Sequence, residues 1–263
     1  MQVNSVRYTL LFATAVCLVC SMLVASAAVL LRDRQQANQL LYLQKNMLQA
    51  TGLVRPGERV TDREVLKIFD RYIRLRLVDL RTGEFIEHPS VDPSRYDQRR
   101  ARADPAQSRE APPNLSQIKR IPNLATVALV VKDGRPVQIV LPIEGIGLYG
   151  TLYGFVALDR DLTTIRGLAF YENRETPGLG GEVDNPKWKA KWPGRKAFDD
   201  AGNIRIALIK GGGVGPPEQD PYQVDALSGA TITSNGVTRM LHFWLGKNGF
   251  GPFLEKARAQ GGL

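Results

Sequence analysis

A stretch near the carboxyl end of the chain combines small residues, hydroxyl side chains and one carboxylate: residues 225–236 read DALSGATITSNG. Apolar side chains then follow at helical spacing, at Val237, Met240, Leu241, Trp244 and Leu245. This pattern predicts a helix with Ser234 or Asn235 as its N-cap. Thr231 is therefore expected just before a helix start, where free backbone N–H groups and the helix dipole favour a phosphate.

The small residues before Thr231 admit two interpretations. Gly229 and Ala230 remove the side-chain bulk that would keep a phosphate away from the backbone. A small-residue turn that only caps the following helix explains the same composition. The residues by themselves leave both interpretations open.

The rest of the residue inventory excludes several classes of enzyme. His88 and His242 are the only histidines and stand in unrelated contexts, and both cysteines, Cys17 and Cys20, lie in one apolar segment. The chain has no zinc-ligand spacing, no GxxxxGK[ST] phosphate loop and no GxGxxG after a strand. We therefore expect no metal site and no self-contained set of catalytic residues.

The stretch at 225–231 resembles the flavinylation motif of the covalent FMN-binding domain family. The matching residues are Asp225, Ser228, Gly229, Ala230 and Thr231. The resemblance implies FMN joined to Thr231 by a phosphoester bond, which a separate flavin transferase makes from FAD, with Thr233 also in the cofactor site. Thr231 is then an anchor and not a catalytic base. Asp225 either helps to place the motif or a metal ion in that step, or serves only as a turn residue.

A second stretch, residues 175–182 (ETPGLGGE), resembles the flavin-contacting segment of the same family. Its proline and glycines predict a rigid turn with little side-chain bulk, so that the backbone at Gly178 can approach a flat ring. The resemblance implies that Leu179 packs on a face of the ring and that Glu175 and Thr176 lie at its edge. An ordinary surface turn is the alternative.

Lys210 stands directly before three consecutive glycines. In a flavin site its ammonium group would offset the charge of the flavin or its phosphate. A solvated lysine is the alternative.

The resemblance extends to the C subunits of Na+-translocating NADH:quinone reductases, through residues 185–188 (NPKW) and 243–254 (FWLGKNGFGPFL). It implies an electron-transfer subunit of an NADH:ubiquinone reductase (Na+-transporting), a translocase, with no independent NADH oxidation. Its partners would be other subunits of a membrane respiratory complex, and its flavin domain would face the periplasm. The alternatives are the flavin subunit of an Rnf-type ferredoxin:NAD complex, a flavin-binding membrane regulator and an anchored scaffold without redox function.

A run without charged residues, 8–31, lies close to the amino terminus. About 20 apolar residues span a bilayer as a helix, so the run predicts one transmembrane helix. The family resemblance implies that it lies in the bacterial inner membrane. A cleaved signal peptide ending near Ala25-Ser26-Ala27 is the alternative. The flanking charges, at Arg7 on one side and Arg32 and Arg34 on the other, do not fix the orientation.

The formal net charge is +9. Such an excess of basic residues is typical of proteins that bind nucleic acid, an anionic membrane surface or an acidic partner. The apolar segment favours membrane lipid over nucleic acid. The proline-rich segment 89–115 is predicted as a surface loop, with lipid head groups or an acidic neighbour as alternative partners. Its basic residues are Arg95, Arg99, Arg100, Arg102 and Arg109.

Hydrophobic periodicity predicts the remaining organisation. Thr61 and Glu64 match a capping box, and Asp133-Gly134 between β-rich runs predicts a hairpin. Strands are predicted at 74–80, 126–131, 137–141, 152–158, 165–171 and 204–209. The predicted segments are a short N-terminus at 1–7, a transmembrane helix at 8–31, a helical stalk at 32–52, a first α+β part at 53–145 and an FMN-binding domain at 146–263. The fold class is α+β: one transmembrane helix followed by a strand-rich domain.

Overall fold

The computed structural model describes residues 5–87 and 91–263, and His88 lies outside them. The chain separates into two units, residues 1–42 and 43–263. The first helix, α1, runs without a break from Val6 to Thr51. It therefore contains the predicted transmembrane helix and all of the predicted stalk except its last residue, Gly52. By length and composition α1 can cross a membrane, and its most apolar stretch is not buried in the protein. A signal sequence can have the same length and composition.

The second unit is rich in strands and confirms the predicted α+β class. Its helices are α2 (Asp62–Tyr72), α3 (Gln98–Ala103), α4 (Pro186–Lys189), α5 (Thr231–Leu245) and α6 (Gly251–Ala259). Its strands are β1 (Ile73–Asp79), β2 (Glu84–Ile86), β3 (Ser108–Glu110), β4 (Arg120–Pro122), β5 (Leu124–Lys132), β6 (Arg135–Ile146), β7 (Thr151–Asp159), β8 (Ile165–Glu172), β9 (Ala207–Ile209) and β10 (Gln223–Asp225).

Six strands form one antiparallel sheet in the order β2-β1-β5-β6-β7-β8. The hairpin at Asp133-Gly134 is confirmed: both residues have positive φ, 51° and 76°, which a tight two-residue turn requires. The capping box is also confirmed, since Thr61 and Glu64 exchange hydrogen bonds at the start of α2. The predicted division at 145/146 falls inside β6, so the sheet continues across it.

Helix α5 packs against β6, and this contact sets where its amino-terminal end lies. A Cβ atom added at Gly145 would stand 2.8 Å from the Cβ of Met240, so this glycine allows helix and strand to approach closely. Further along α5, the fully buried indole of Trp244 donates a hydrogen bond of 2.7 Å to the backbone oxygen of Glu144. The helix is thereby fixed to the sheet at both positions.

The predicted surface loop is instead packed on the sheet, which corrects that prediction. The guanidinium of Arg99 lies 3.4 Å from the ring centroid of Tyr153 and bonds Glu172 at 2.7 Å. Arg109 donates to the backbone oxygens of Leu80 and Asn248. Exposed basic residues in this segment are Arg95 and Arg100.

Arg102 forms an ion pair with the buried carboxylate of Glu144. Burial raises the pKa of Glu144, and the nearby Arg102 only partly opposes that rise. An arginine that compensates a buried acid is part of the domain structure, which is why this side chain is not free for lipid head groups.

Candidate functional site

Thr231 is the first residue of α5 and is exposed to solvent. The prediction that the helix begins after Ser234 or Asn235 is wrong. The hydroxyl of Ser234 accepts a bond from the backbone N–H of Leu227 at 3.0 Å and donates to the oxygen of Ala230 at 2.9 Å. Ser234 therefore closes the preceding turn from inside the helix, and does not cap it.

The amino-terminal end of α5 carries no side-chain cap. The N-cap position is Ala230, which has no capping oxygen. The first helical bond runs from the N–H of Ser234 to the oxygen of Ala230 at 3.0 Å. The first-turn amides before Ser234 therefore have no partner within the helix and point along its axis past the amino-terminal end, as in helix ends that bind anions.

The turn before Thr231 depends on Gly229. This residue has φ of +72°, and a Cβ atom added there would lie 2.9 Å from Cδ2 of Leu179. The backbone conformation is strained for any residue larger than glycine, and an added side chain would also displace the exposed Leu179. Ser228 is exposed and Ala230 is buried, so Ser228 and Thr231 present the two hydroxyls of this turn to solvent.

The segment 175–181 lies directly against this turn, through Leu179 and Gly229. Gly178 has φ of +78°, and the oxygen of Thr176 accepts bonds from the N–H groups of Leu179 and Gly181. Thr176 and Leu179 are exposed. The structure thus brings together the two stretches that the sequence singled out.

Glu175 and Thr233 are not at an exposed edge. Both are buried, and the Thr233 hydroxyl donates a 2.5 Å bond to Oε2 of Glu175. The other oxygen, Oε1, accepts bonds from the N–H groups of Leu148 and Tyr149. The carboxylate is therefore engaged by the protein. Leu148 and Tyr149 were not predicted as site residues, because no motif marks them.

Asp225 is the last residue of β10, and both of its carboxylate oxygens are engaged. Oδ2 accepts a 2.5 Å bond from Nζ of Lys191, and Oδ1 accepts from the N–H of Val214 at 3.0 Å. Burial by itself raises the pKa of Asp225, but the bonds from Lys191 and Val214 outweigh it and lower the pKa. Of the two interpretations, this geometry favours the turn role.

Trp188 and Lys191 were also missed as site residues. The Trp188 indole donates to the backbone oxygen of Asp225 at 2.9 Å. Together with Lys191 it holds the end of β10 from which the turn at 227–230 starts. The basic and aromatic run at 187–192 (KWKAKW) is the sequence signal that would have pointed to a neighbouring carboxylate.

Lys210 is exposed and follows β9, whose last residue, Ile209, is in register with Asp225 in the parallel β9–β10 pair. The N–H of Ala226 bonds the oxygen of Ile209. Lys210 therefore follows β9 at the same end of the β9–β10 pair at which the motif follows β10.

The surface around Thr231 combines polar and apolar features that fit FMN. The uncapped helix end and the two hydroxyls suit a phosphate. Exposed apolar side chains nearby suit a flat aromatic ring; they are Leu148, Tyr149, Leu179 and Ile232. Within residues 5–87 and 91–263 no cluster of His, Cys, Asp and Glu side chains has the arrangement of a metal site.

Comparison with known proteins agrees with this geometry. Residues 147–246 match the FMN-binding domain family. The chain is 46% identical to the C subunit of the Na(+)-translocating NADH-quinone reductase of Pseudomonas aeruginosa, over 97% of both chains. The corresponding protein of Yersinia pestis is 45% identical, over 97% of this chain and 94% of its own length.

Two solved structures resemble the fold. The crystal structure of Shewanella oneidensis NqrC superposes with a TM-score of 0.76 at 36% identity, covering 85% of this chain and 99% of that chain. The C subunit of the Na(+)-translocating NADH-quinone reductase from Parabacteroides distasonis gives a TM-score of 0.65 at 28% identity, covering 85% of this chain and 96% of that chain.

Proposed function

The chain belongs to the family of C subunits of the Na+-translocating NADH-quinone reductase, and from this membership we infer that it is the FMN-carrying electron-transfer subunit of such a complex. FMN is its cofactor. We propose that the FMN phosphate is esterified to the hydroxyl of Thr231. Other subunits of the complex are its partners, and a flavin transferase acts on it once, during maturation.

One observation carries the proposal: the hydroxyl of Thr231 is exposed beside an uncapped helix end. A phosphoester there would be stabilised by the first-turn N–H groups and the positive end of the helix dipole. Gly229 is exposed and has no side chain, so the backbone directly before the buried Ala230 is accessible. Thr233, two residues on, is buried and already bonded to Glu175, which disfavours it as the attachment site.

The residues around Thr231 position the cofactor, which supplies one-electron chemistry when bound. Leu179 offers an apolar surface next to Gly229, and Thr176 offers a polar group beside it. Lys210 contributes a positive charge at the end of the β9–β10 pair from which the motif starts. Asp225, held by Lys191, fixes the strand end from which the motif turn begins. In this proposal the protein anchors and orients the flavin, and no side chain acts as acid or base.

The same proposal assigns α1 as a membrane anchor. Its apolar segment is long enough to cross a bilayer, which supports a single-pass anchor in contact with lipid. We propose that the membrane is the bacterial inner membrane and that the flavin domain faces the periplasm, as the family resemblance implies. We expect the mature protein to keep this segment. Amino-terminal sequencing of protein purified from membranes checks it, and a sequence beginning at Ala28 would show that residues 1–27 are a cleaved signal.

The soluble unit, residues 43–263, is expected to carry FMN when made together with a flavin transferase. Its flavin should be reduced by dithionite and not by NADH, because the chain has no nicotinamide-binding motif. Absorbance of the oxidised flavin, recorded after each addition under anaerobic conditions, measures both reactions. Direct bleaching by NADH would contradict the assignment of NADH oxidation to another subunit.

A further inference from the structure

The exposed apolar side chains beside Thr231 come from three separate segments. Leu148 and Tyr149, 46% and 65% exposed, lie in the loop between β6 and β7. Leu179, 44% exposed, lies in the turn after β8, and Ile232, 56% exposed, lies in the first turn of α5. Their relative placement therefore depends on whatever holds these three segments together.

Glu175 belongs to the turn after β8 and accepts hydrogen bonds from the other two segments, the β6–β7 loop and the first turn of α5. Its Oε1 atom accepts from the N–H groups of Leu148 at 2.9 Å and Tyr149 at 3.0 Å. Its Oε2 atom accepts from the hydroxyl of Thr233 at 2.5 Å. The side chain is 7% exposed. One buried carboxylate thus ties the loop, the turn and the helix start.

Two glycines leave the space that this carboxylate occupies. A Cβ atom added at Gly147 would collide with Oε1 of Glu175, and one added at Gly180 would collide with Oε2. Gly147 lies in the loop and Gly180 in the turn. The backbone of both segments therefore closes directly over the Glu175 side chain.

The carboxylate depends on these donors. Among the residues that the structure describes, no Lys, Arg or His side chain lies within ion-pair distance of Glu175. A buried charge without a counter-ion is stable only while its hydrogen bonds are kept. Loss of one donor consequently loosens the contact between segments.

We propose that Glu175 is a positioning residue of the flavin site. It holds the 147–150 loop, the 175–181 turn and the start of α5 in fixed register, so that Leu148, Tyr149, Leu179 and Ile232 form one platform beside Thr231. This inference rests on the proposed attachment of FMN to Thr231, and it replaces the expectation that Glu175 contacts the ring.

Four variants of the full chain test the proposal: Glu175→Ala, Glu175→Gln, Thr233→Val and the control Glu255→Ala. Glu255 is an exposed carboxylate on α6, outside the three segments that Glu175 connects. The measurements are intact mass, visible circular dichroism of the attached flavin, and hydrogen exchange of the Leu148 and Tyr149 amides.

We expect Glu175→Ala to keep FMN by mass but to lose most of the visible circular dichroism, because the ring is no longer held in one orientation. Exchange of the two amides should rise roughly tenfold or more, since their acceptor is gone. Thr233→Val should lower the dichroism while the two amides stay protected. Glu255→Ala should behave as the unsubstituted protein.

Glu175→Gln separates position from charge. Its amide oxygen accepts from both N–H groups and its NH2 group donates to the Thr233 oxygen, so dichroism and exchange should stay close to those of the unsubstituted protein. Equal losses in Glu175→Gln and Glu175→Ala would overturn the proposal in favour of a charge effect, and unchanged dichroism and exchange in Glu175→Ala would overturn it outright.

The amide-exchange arm does not require bound FMN. If the unsubstituted protein carries no FMN by mass, the attachment proposal fails. Exchange at Leu148 and Tyr149 then still decides whether Glu175 ties the three segments.

Discussion

Replacing Thr231 with alanine is expected to abolish quinone reduction by the assembled complex, while NADH oxidation with an artificial acceptor continues. In the proposed electron path the first activity needs every carrier, and the variant lacks the hydroxyl to which we propose FMN is attached. The second activity would use only carriers upstream of this subunit. Both rates are measured in one membrane preparation in which all subunits are shown to be present, and Na+ transport is measured beside them.

The matched control is Thr82→Ala, which removes an exposed threonine hydroxyl from the turn between β1 and β2. It should leave both rates unchanged. A fully assembled complex that reduces quinone at the normal rate with alanine at position 231, and without FMN on this subunit, would remove the subunit from the electron path. An anchored scaffold would then be the better description of the chain.

Replacing Trp244 with alanine is expected to destabilise the second unit, residues 43–263, by about 3–5 kcal/mol, the usual cost of deleting a buried large aromatic side chain. Trp244 is fully buried, packs against Phe243 and Phe250, and bonds the backbone of Glu144. The substitution removes part of the contact between α5 and β6. That contact determines where the amino-terminal end of α5 lies. Urea unfolding followed by circular dichroism measures it.

Trp244→Phe is the matched variant, since it keeps an aromatic side chain and loses the indole N–H. It should cost about 1–3 kcal/mol, because the buried oxygen of Glu144 loses a donor while most of the packing stays. Equal stability of the alanine variant and the unsubstituted protein would show that this end of α5 is not held by the core.

The five long strands β1, β5, β6, β7 and β8, the hairpin and the capping box could be predicted because their signals are local. The short strands β2, β3, β4 and β10 were not predicted. Asp133-Gly134 needs only two adjacent residues that tolerate positive φ, and Thr61 with Glu64 needs one helical turn. The start of α5 could not be read in the same way. Ser234 is a good N-cap by type, but its hydroxyl bonds Leu227 and Ala230, a competition that only the folded turn decides.

Residues of the site that depend on distant partners were the ones misplaced or missed. Glu175 is buried because Gly147, Leu148 and Tyr149 approach it from the loop between β6 and β7, which lies at the end of the sheet where β8 also ends. No sequence spacing predicts that approach. Arg99 and Arg102 were assigned to a surface loop because their partners, Tyr153 and Glu144, lie far along the chain. The amino-acid composition shows that a segment is basic, but it does not show which side chains pair with its arginines in the fold.

The position of the flavin on the mature protein is the most direct test of the account. Trypsin should release residues 211–239 as one peptide, since Lys210 and Arg239 are consecutive cleavage sites. We predict that this peptide carries the mass of FMN less one water, and that fragmentation places it on Thr231. A modification on Ser228, Thr233 or Ser234, or an unmodified peptide from an active complex, would contradict the assignment of Thr231 as the flavin anchor.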